Sequence, residues 1–188
     1  MATFGWKKAL VIVGFAALPS MASATLIATI AGNDCAGVFG QGFANCKIPG
    51  QYDPNQSPVI IKFDFNADGV VTTIEINSGL FTTIDGSEFT FVMTGQGTGT
   101  WTYVQGLGDP NINFFVAKGG PNFNLFSTGG LTDTFVTPTN SNNGNPFGLS
   151  HLTFYDTGGH QVPEPAPLAL IGLGMLGLMV ARRRRNPR

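Results

Sequence analysis

The chain has 188 residues and few charges, ten Lys and Arg against eleven Asp and Glu, for a formal charge of −1. Seven of the ten cations sit at the two ends (Lys7, Lys8, Arg182, Arg183, Arg184, Arg185, Arg188). Residues 25–161 therefore keep only Lys47, Lys62 and Lys118 against eight Asp and two Glu, a formal −7 with no arginine. Such a surface repels phosphate backbones, which excludes nucleic acid as a partner, and it suits an exported protein that can attract cations.

Residues 1–24 read as a secretory signal peptide. Lys7 and Lys8 form the charged start, Ala9 to Leu18 the apolar stretch, and Ala22-Ser23-Ala24 an A-x-A site for signal peptidase. The mature chain is then expected to begin at Thr25, leaving residues 25–161 as one exported domain of ordinary size. Cys35 and Cys46 lie early in it. An oxidising compartment and an even count favour one disulfide, worth about 3 kcal/mol for so short a loop. The alternative, a nucleophilic or metal-binding thiol, lacks a nearby histidine.

From Val59 onward the pattern is β. Expected strands are 59–65, 70–76, 88–94, 98–104, 112–117, 122–126, 133–137 and 149–155, separated by Gly, Asn, Asp and Pro. No stretch carries a 3.6-residue apolar period, and no repeat recurs at a fixed interval. Many short strands at intervals of about 8–12 residues predict an all-β fold, an antiparallel β-sandwich or jelly roll with phenylalanine supplying much of the core. The segment TPTNSNNGNP, 137–146, is a polar loop.

The sharpest chemical pattern is Asp64-x-Asn66-x-Asp68-Gly69-x5-Glu75, which has the ligand spacing of an EF-hand loop. A true EF-hand needs flanking helices, and here both flanks alternate. Ile61, Phe63 and Phe65 share one face, and Val70, Thr72, Ile74 and Ile76 another. The reading is a β-hairpin turned by Asn66 to Gly69, with no metal and no cofactor expected, although such a turn can hold calcium without helices and that alternative stays open. Thr98, Thr100 and Thr102 share one face beside Trp101 and Tyr103. A flat threonine array is one way to build an ice-binding face, but a single solvent-facing strand is the simpler reading. For catalysis the domain offers Glu75, Glu88, His151 and His160, without G-x-S-x-G or H-E-x-x-H. Asp-based carboxylate pairs stay open, and the protein is read as a non-enzyme.

The last 27 residues have three parts: Val162-Pro163-Glu164-Pro165, an uncharged apolar run, and Arg182-Arg183-Arg184-Arg185. Prolines favour an extended turn at the front. Ala166 to Ala181 spans 16 residues, about 24 Å as a helix, short for a hydrocarbon core of about 30 Å unless the arginines snorkel. The arginine cluster keeps its own side cytoplasmic, so the domain before it faces away. Gly172, Gly174 and Gly177 spell G-x-G-x-x-G, but no preceding strand and no downstream acidic residue accompany them, and the nucleotide reading is discarded.

This ordered tail resembles the PEP-CTERM sorting signal of Gram-negative bacteria, also labelled an ice-binding protein C-terminal domain, a label that describes the tail. The resemblance implies recognition and cutting by an exosortase, with Pro163, Glu164 and Pro165 as the recognised residues. Two further segments loosely match proteins that carry such tails: Phe115-Val116-Ala117-Lys118-Gly119-Gly120 followed by Phe123 and Phe126, and Gly148-Leu149-Ser150-His151-Leu152-Thr153-Phe154-Tyr155. They imply a shared β-sandwich whose closing strand carries His151 as a structural residue. The resulting expectation is an exported protein held transiently on the periplasmic side of the inner membrane, then moved to the cell surface or exopolysaccharide matrix. Its partners are signal peptidase, an exosortase, the membrane and exopolysaccharide. Its role is structural or adhesive in biofilm or floc; a carbohydrate- or calcium-binding lectin-like module is the alternative.

Overall fold

The computed structural model describes residues 23–156. Most of the signal peptide, Ala22 of its cleavage site, His160, the Val162–Pro165 motif, the apolar helix and the arginine cluster lie outside the described residues.

Nine strands form among the described residues, eight of them within two residues of the expected positions: β2 (Val59–Phe65), β3 (Val71–Ile76), β4 (Phe89–Gly95), β5 (Thr98–Tyr103), β6 (Phe114–Gly119), β7 (Asn122–Ser127), β8 (Thr132–Val136) and β9 (Leu149–Tyr155). The ninth, β1 (Thr25–Ala31), was not expected. It lies at the edge of a sheet, paired only with β7, and Leu26 and Ile27 remain exposed, so its sequence carries no clean in–out alternation.

All pairings are antiparallel. A six-stranded sheet has the order β1-β7-β6-β9-β2-β3, and a three-stranded sheet the order β4-β5-β8. The two pack face to face as a sandwich, because each offers an apolar face to the other. Trp101 of β5 sits edge-on against Phe115 and Phe154, at centroid distances of 5.4 and 5.1 Å. Phe89 of β4 meets Phe63 and Phe154 at 5.1 and 4.7 Å. Fully buried aromatic side chains of this kind each contribute on the order of 2 kcal/mol by leaving water. Gly99 points inward between them. A side chain there would come within 2.6 Å of the Phe135 ring, so the absence of a Cβ lets that ring enter the core.

The β2–β3 hairpin turns through Asn66–Gly69, as the alternation predicts. Asn66 Oδ1 accepts from the backbone N–H of Asp68 and Val70, and Gly69 takes the turn's positive φ of 76°. One detail of the expected alternation is corrected. The register shifts between Asp64 and Phe65, so Phe65 faces Val71 while Asp64 faces Thr73. This bulge puts Val71 on the core and leaves Val70 58% exposed, whereas plain alternation had placed Val70 and Thr72 with Ile74 and Ile76.

The opposite face of the six-stranded sheet is also covered. Segment 32–58 crosses it and buries a second cluster of Cys35, Phe39, Cys46, Ile48, Val59, Val116, Phe123, Leu125 and Tyr155. This segment contains one 3-10 turn, Phe43–Asn45, and otherwise no regular helix or strand. It satisfies its own backbone instead: Phe39 N–H bonds to Asp34 O, Lys47 N–H to Phe39 O and Val59 N–H to Cys46 O.

Candidate functional site

The face under segment 32–58 gathers the polar residues of β2, β3, β6 and β9. Alternation sends Phe63, Phe115, Leu152 and Phe154 into the aromatic core. Their neighbours Lys62, Asp64, Lys118, His151 and Tyr155 go to the other side. Register aligns them: Asp64 and Lys118 both pair with His151 from opposite sides, and Lys62 pairs with Glu75.

Two charge clusters result. In the first, Lys62 Nζ lies 3.0 Å from Asp64 Oδ1 and 2.9 Å from Glu75 Oε1. Burial alone would lower this ammonium, but Glu75 and then Asp64 hold it above its ordinary range. In the second, Asp34 descends from the covering segment. Its Oδ1 lies 2.9 Å from His151 Nε2, and its Oδ2 accepts a 3.1 Å bond from the Tyr155 hydroxyl. Burial works to raise the Asp34 pKa, but the hydrogen bond and charge of His151, together with Thr153 and the Cys35 backbone, outweigh it and bring it down to about 2. Burial, then Asp34, pushes the Tyr155 hydroxyl well up. Lys118 donates to Gly120 O; burial lowers its ammonium while Asp34 opposes that.

The disulfide expected between Cys35 and Cys46 is present, with an S–S distance of 2.01 Å. Its two sulfurs lie 3.6 and 3.5 Å from the Tyr155 hydroxyl, so the bridge, Tyr155 and Asp34 pack as one unit. Between segment 33–43 and the sheet a cleft of about 430 Å³ opens, lined by Asn33, Phe43, Lys62, Glu75, Ser150 and His151 among others.

The EF-hand-like residues are distributed as a hairpin requires. Asp64 and Glu75 are held by Lys62, and Asn66 by the turn backbone, while Asp68 stands exposed at the tip. Among the described residues no group of three or more His, Cys, Asp or Glu is placed to hold a metal ion. The threonine strand gains neighbours that the sequence did not suggest. Beside Thr98, Thr100 and Thr102 stand Thr90, Val92 and Thr94 of β4 and Thr132, Thr134 and Val136 of β8, a three-by-three face of seven threonines and two valines. Thr132 donates to Thr102 at 3.2 Å and Thr94 to Thr98 at 3.1 Å.

Sequence reasoning missed the partnership of Asp34 with His151, separated by 117 positions. The one available signal was adjacency: Asp34 immediately precedes Cys35, and a disulfide fixes the direction of the residue beside it.

No curated protein and no solved structure matches the chain. Residues 161–185 match the family model of the PEP-CTERM protein-sorting motif, a span that includes Val162, Pro163, Glu164, Pro165 and the arginines Arg182 to Arg185. The motif implies export and processing at a membrane by an exosortase, and so the chain is a protein bearing a PEP-CTERM sorting motif.

Proposed function

We propose that the protein is a structural or adhesive module of the cell surface or exopolysaccharide matrix, delivered there by its tail. The observation that carries this reading is the sorting motif at 161–185 following a disulfide-tied sandwich. In this reading residues 1–24 are removed by signal peptidase, 25–161 are the cargo, and 162–188 anchor the chain on the periplasmic side of the inner membrane until an exosortase releases it. In this reading the cargo is non-catalytic, and His151, held by Asp34 at 2.9 Å with its other ring nitrogen 3.9 Å from Asp64, is a structural residue. A disulfide and few charges suit a protein that must persist outside the cell.

The test is the mass and location of the mature C-terminus in wild type and in Glu164→Ala. The expected result is a processed wild-type protein in the surface or matrix fraction and an uncut, membrane-held variant. Identical masses and locations for the two would sink the sorting role of the Pro-Glu-Pro turn. A processed wild-type protein that is absent from surface and matrix would sink the matrix role.

A further inference from the structure

The cleft between segment 33–43 and the β2–β3–β9 end of the sheet has the properties of a ligand site. Its volume of about 430 Å³ falls within the range of roughly 300–1,000 Å³ typical of small-molecule sites. One wall carries Phe43, a half-buried ring on the 3-10 turn, packed against the cluster behind the disulfide. The lining also includes the exposed side chains of Asn33 and Ser150 and the paired charges of Lys62 and Glu75.

The charges in the cleft limit what can bind. Lys62 is already matched by two carboxylates, and Asp34 is held by His151 and Tyr155. A phosphate, sulfate or uronate entering here would meet more negative than positive charge, on a domain with a formal charge of −7. A cationic ligand would have to lie against Lys62. Hydrogen-bonding capacity is nonetheless left over. An ammonium has three donors and Lys62 uses two, while Glu75 gives Oε1 to Lys62 and remains 41% exposed. Donors and acceptors thus lie together beside an aromatic ring, and the charged groups of the cleft are already engaged with one another. A sugar ring has the complementary form, hydroxyls at its rim that both donate and accept, and C–H bonds on its face that stack on an aromatic ring. The walls are also fixed before binding, by the disulfide on one side and the sheet ladder on the other, which reduces the ordering cost of association.

We propose that this cleft binds a short neutral saccharide, held between the ring of Phe43 and the polar groups of Asn33, Lys62, Glu75 and Ser150. The proposal rests on the matrix reading above for where the ligand is met. Mature protein recovered from the producing cell is titrated calorimetrically with cellobiose, lactose, mannobiose and N,N′-diacetylchitobiose, with galacturonic acid as the charged control and EDTA present in a parallel series. At least one neutral disaccharide is expected to bind, unchanged by EDTA, and galacturonic acid to bind at least tenfold more weakly. Asn33→Ala and Phe43→Ala are each expected to weaken binding at least tenfold. Asn33→Ala alters an exposed side chain, so its unfolding midpoint should stay that of wild type. No binding to any neutral probe, preference for galacturonic acid, loss in EDTA, or unchanged affinity in Asn33→Ala would each overturn the proposal. A protein that reaches the matrix without binding refutes the cleft reading alone, and one that binds but never reaches the matrix refutes only the matrix reading.

Discussion

The outer faces of the two sheets are built from opposite chemistry. On the three-stranded sheet nine outward positions hold seven threonines and two valines, without a charge, and nothing covers them among the described residues. On the six-stranded sheet the outward positions of β2, β6 and β9 hold Lys62, Asp64, Lys118, His151 and Tyr155, and a disulfide-tied segment lies over them. The first face is stable by propensity: β-branched side chains suit a pleated surface, and the seven threonines among them carry hydroxyls that water or a neighbouring threonine can satisfy. The second takes ionisable groups out of water, which is tolerable only where each is paired and hydrogen-bonded. Asp34, contributed by the cover itself, completes that pairing. Cover and sheet are thus mutually dependent on the second face, whereas the threonine face has no covering segment to depend on among the described residues.

The largest test of this contrast removes the cover's tie. Replacing Cys35 and Cys46 together by Ser should lower stability by about 3 kcal/mol and open segment 33–58 to proteolysis. Denaturant unfolding and limited proteolysis read the two effects. A loss below about 1 kcal/mol with an intact cover would break the claimed dependence.

Acid comes next. The folded pKa of Asp34, about 2, lies below its ordinary value of 3.8. A depressed carboxyl contributes stability that is complete above the ordinary value and is lost as pH falls from 3.8 towards 2. At about 1.4 kcal/mol per pH unit the contribution is about 2 kcal/mol. Stability measured from pH 6 down to pH 2 should fall accordingly, and Asp34→Asn should flatten that part of the curve. An unchanged slope in the variant would assign the acid sensitivity elsewhere.

On the other face the effects should be small. Thr100→Val keeps shape and β-branching at a half-buried outward position, and its stability should stay within about 0.5 kcal/mol of wild type. A loss above 1 kcal/mol would show that the hydroxyl array is itself a cooperative element.

The smallest expected effect concerns the hairpin. Asp64 and Glu75 are engaged by Lys62, so the unfolding midpoint should be the same in EDTA and in millimolar calcium. A ligand at 100 times its Kd would add about 2.7 kcal/mol. A rise of that size that disappears in Asp68→Ala would establish a cation site at the turn.

Local chemistry made much of this molecule legible. Runs of β-branched and aromatic residues bounded by Gly, Asn, Asp and Pro located β2 to β9, because strand propensity and turn chemistry are properties of neighbouring residues, even where β6, β7 and β9 are buried on both faces. The Asn66–Gly69 turn was legible because Asn, Asp and Gly carry their backbone preferences with them. The disulfide followed from two cysteines and an export signal. The edge strand β1 was missed because it has no strongly buried side, and the bulge at Asp64–Phe65 because its extra residue is defined only against a partner strand.

By itself, then, the sequence determined an all-β exported chain with one disulfide, one hairpin in place of an EF-hand, and a sorting motif at its end. These are encoded in composition, short periodicities and patterns contained within one short stretch of chain. Only the tertiary structure decided which strands share a sheet, that Asp34 reaches His151 and Tyr155 across more than a hundred positions, and that three threonine-bearing strands lie side by side. Such pairings depend on which strands lie together and in what register, and register belongs to two segments at once rather than to either alone.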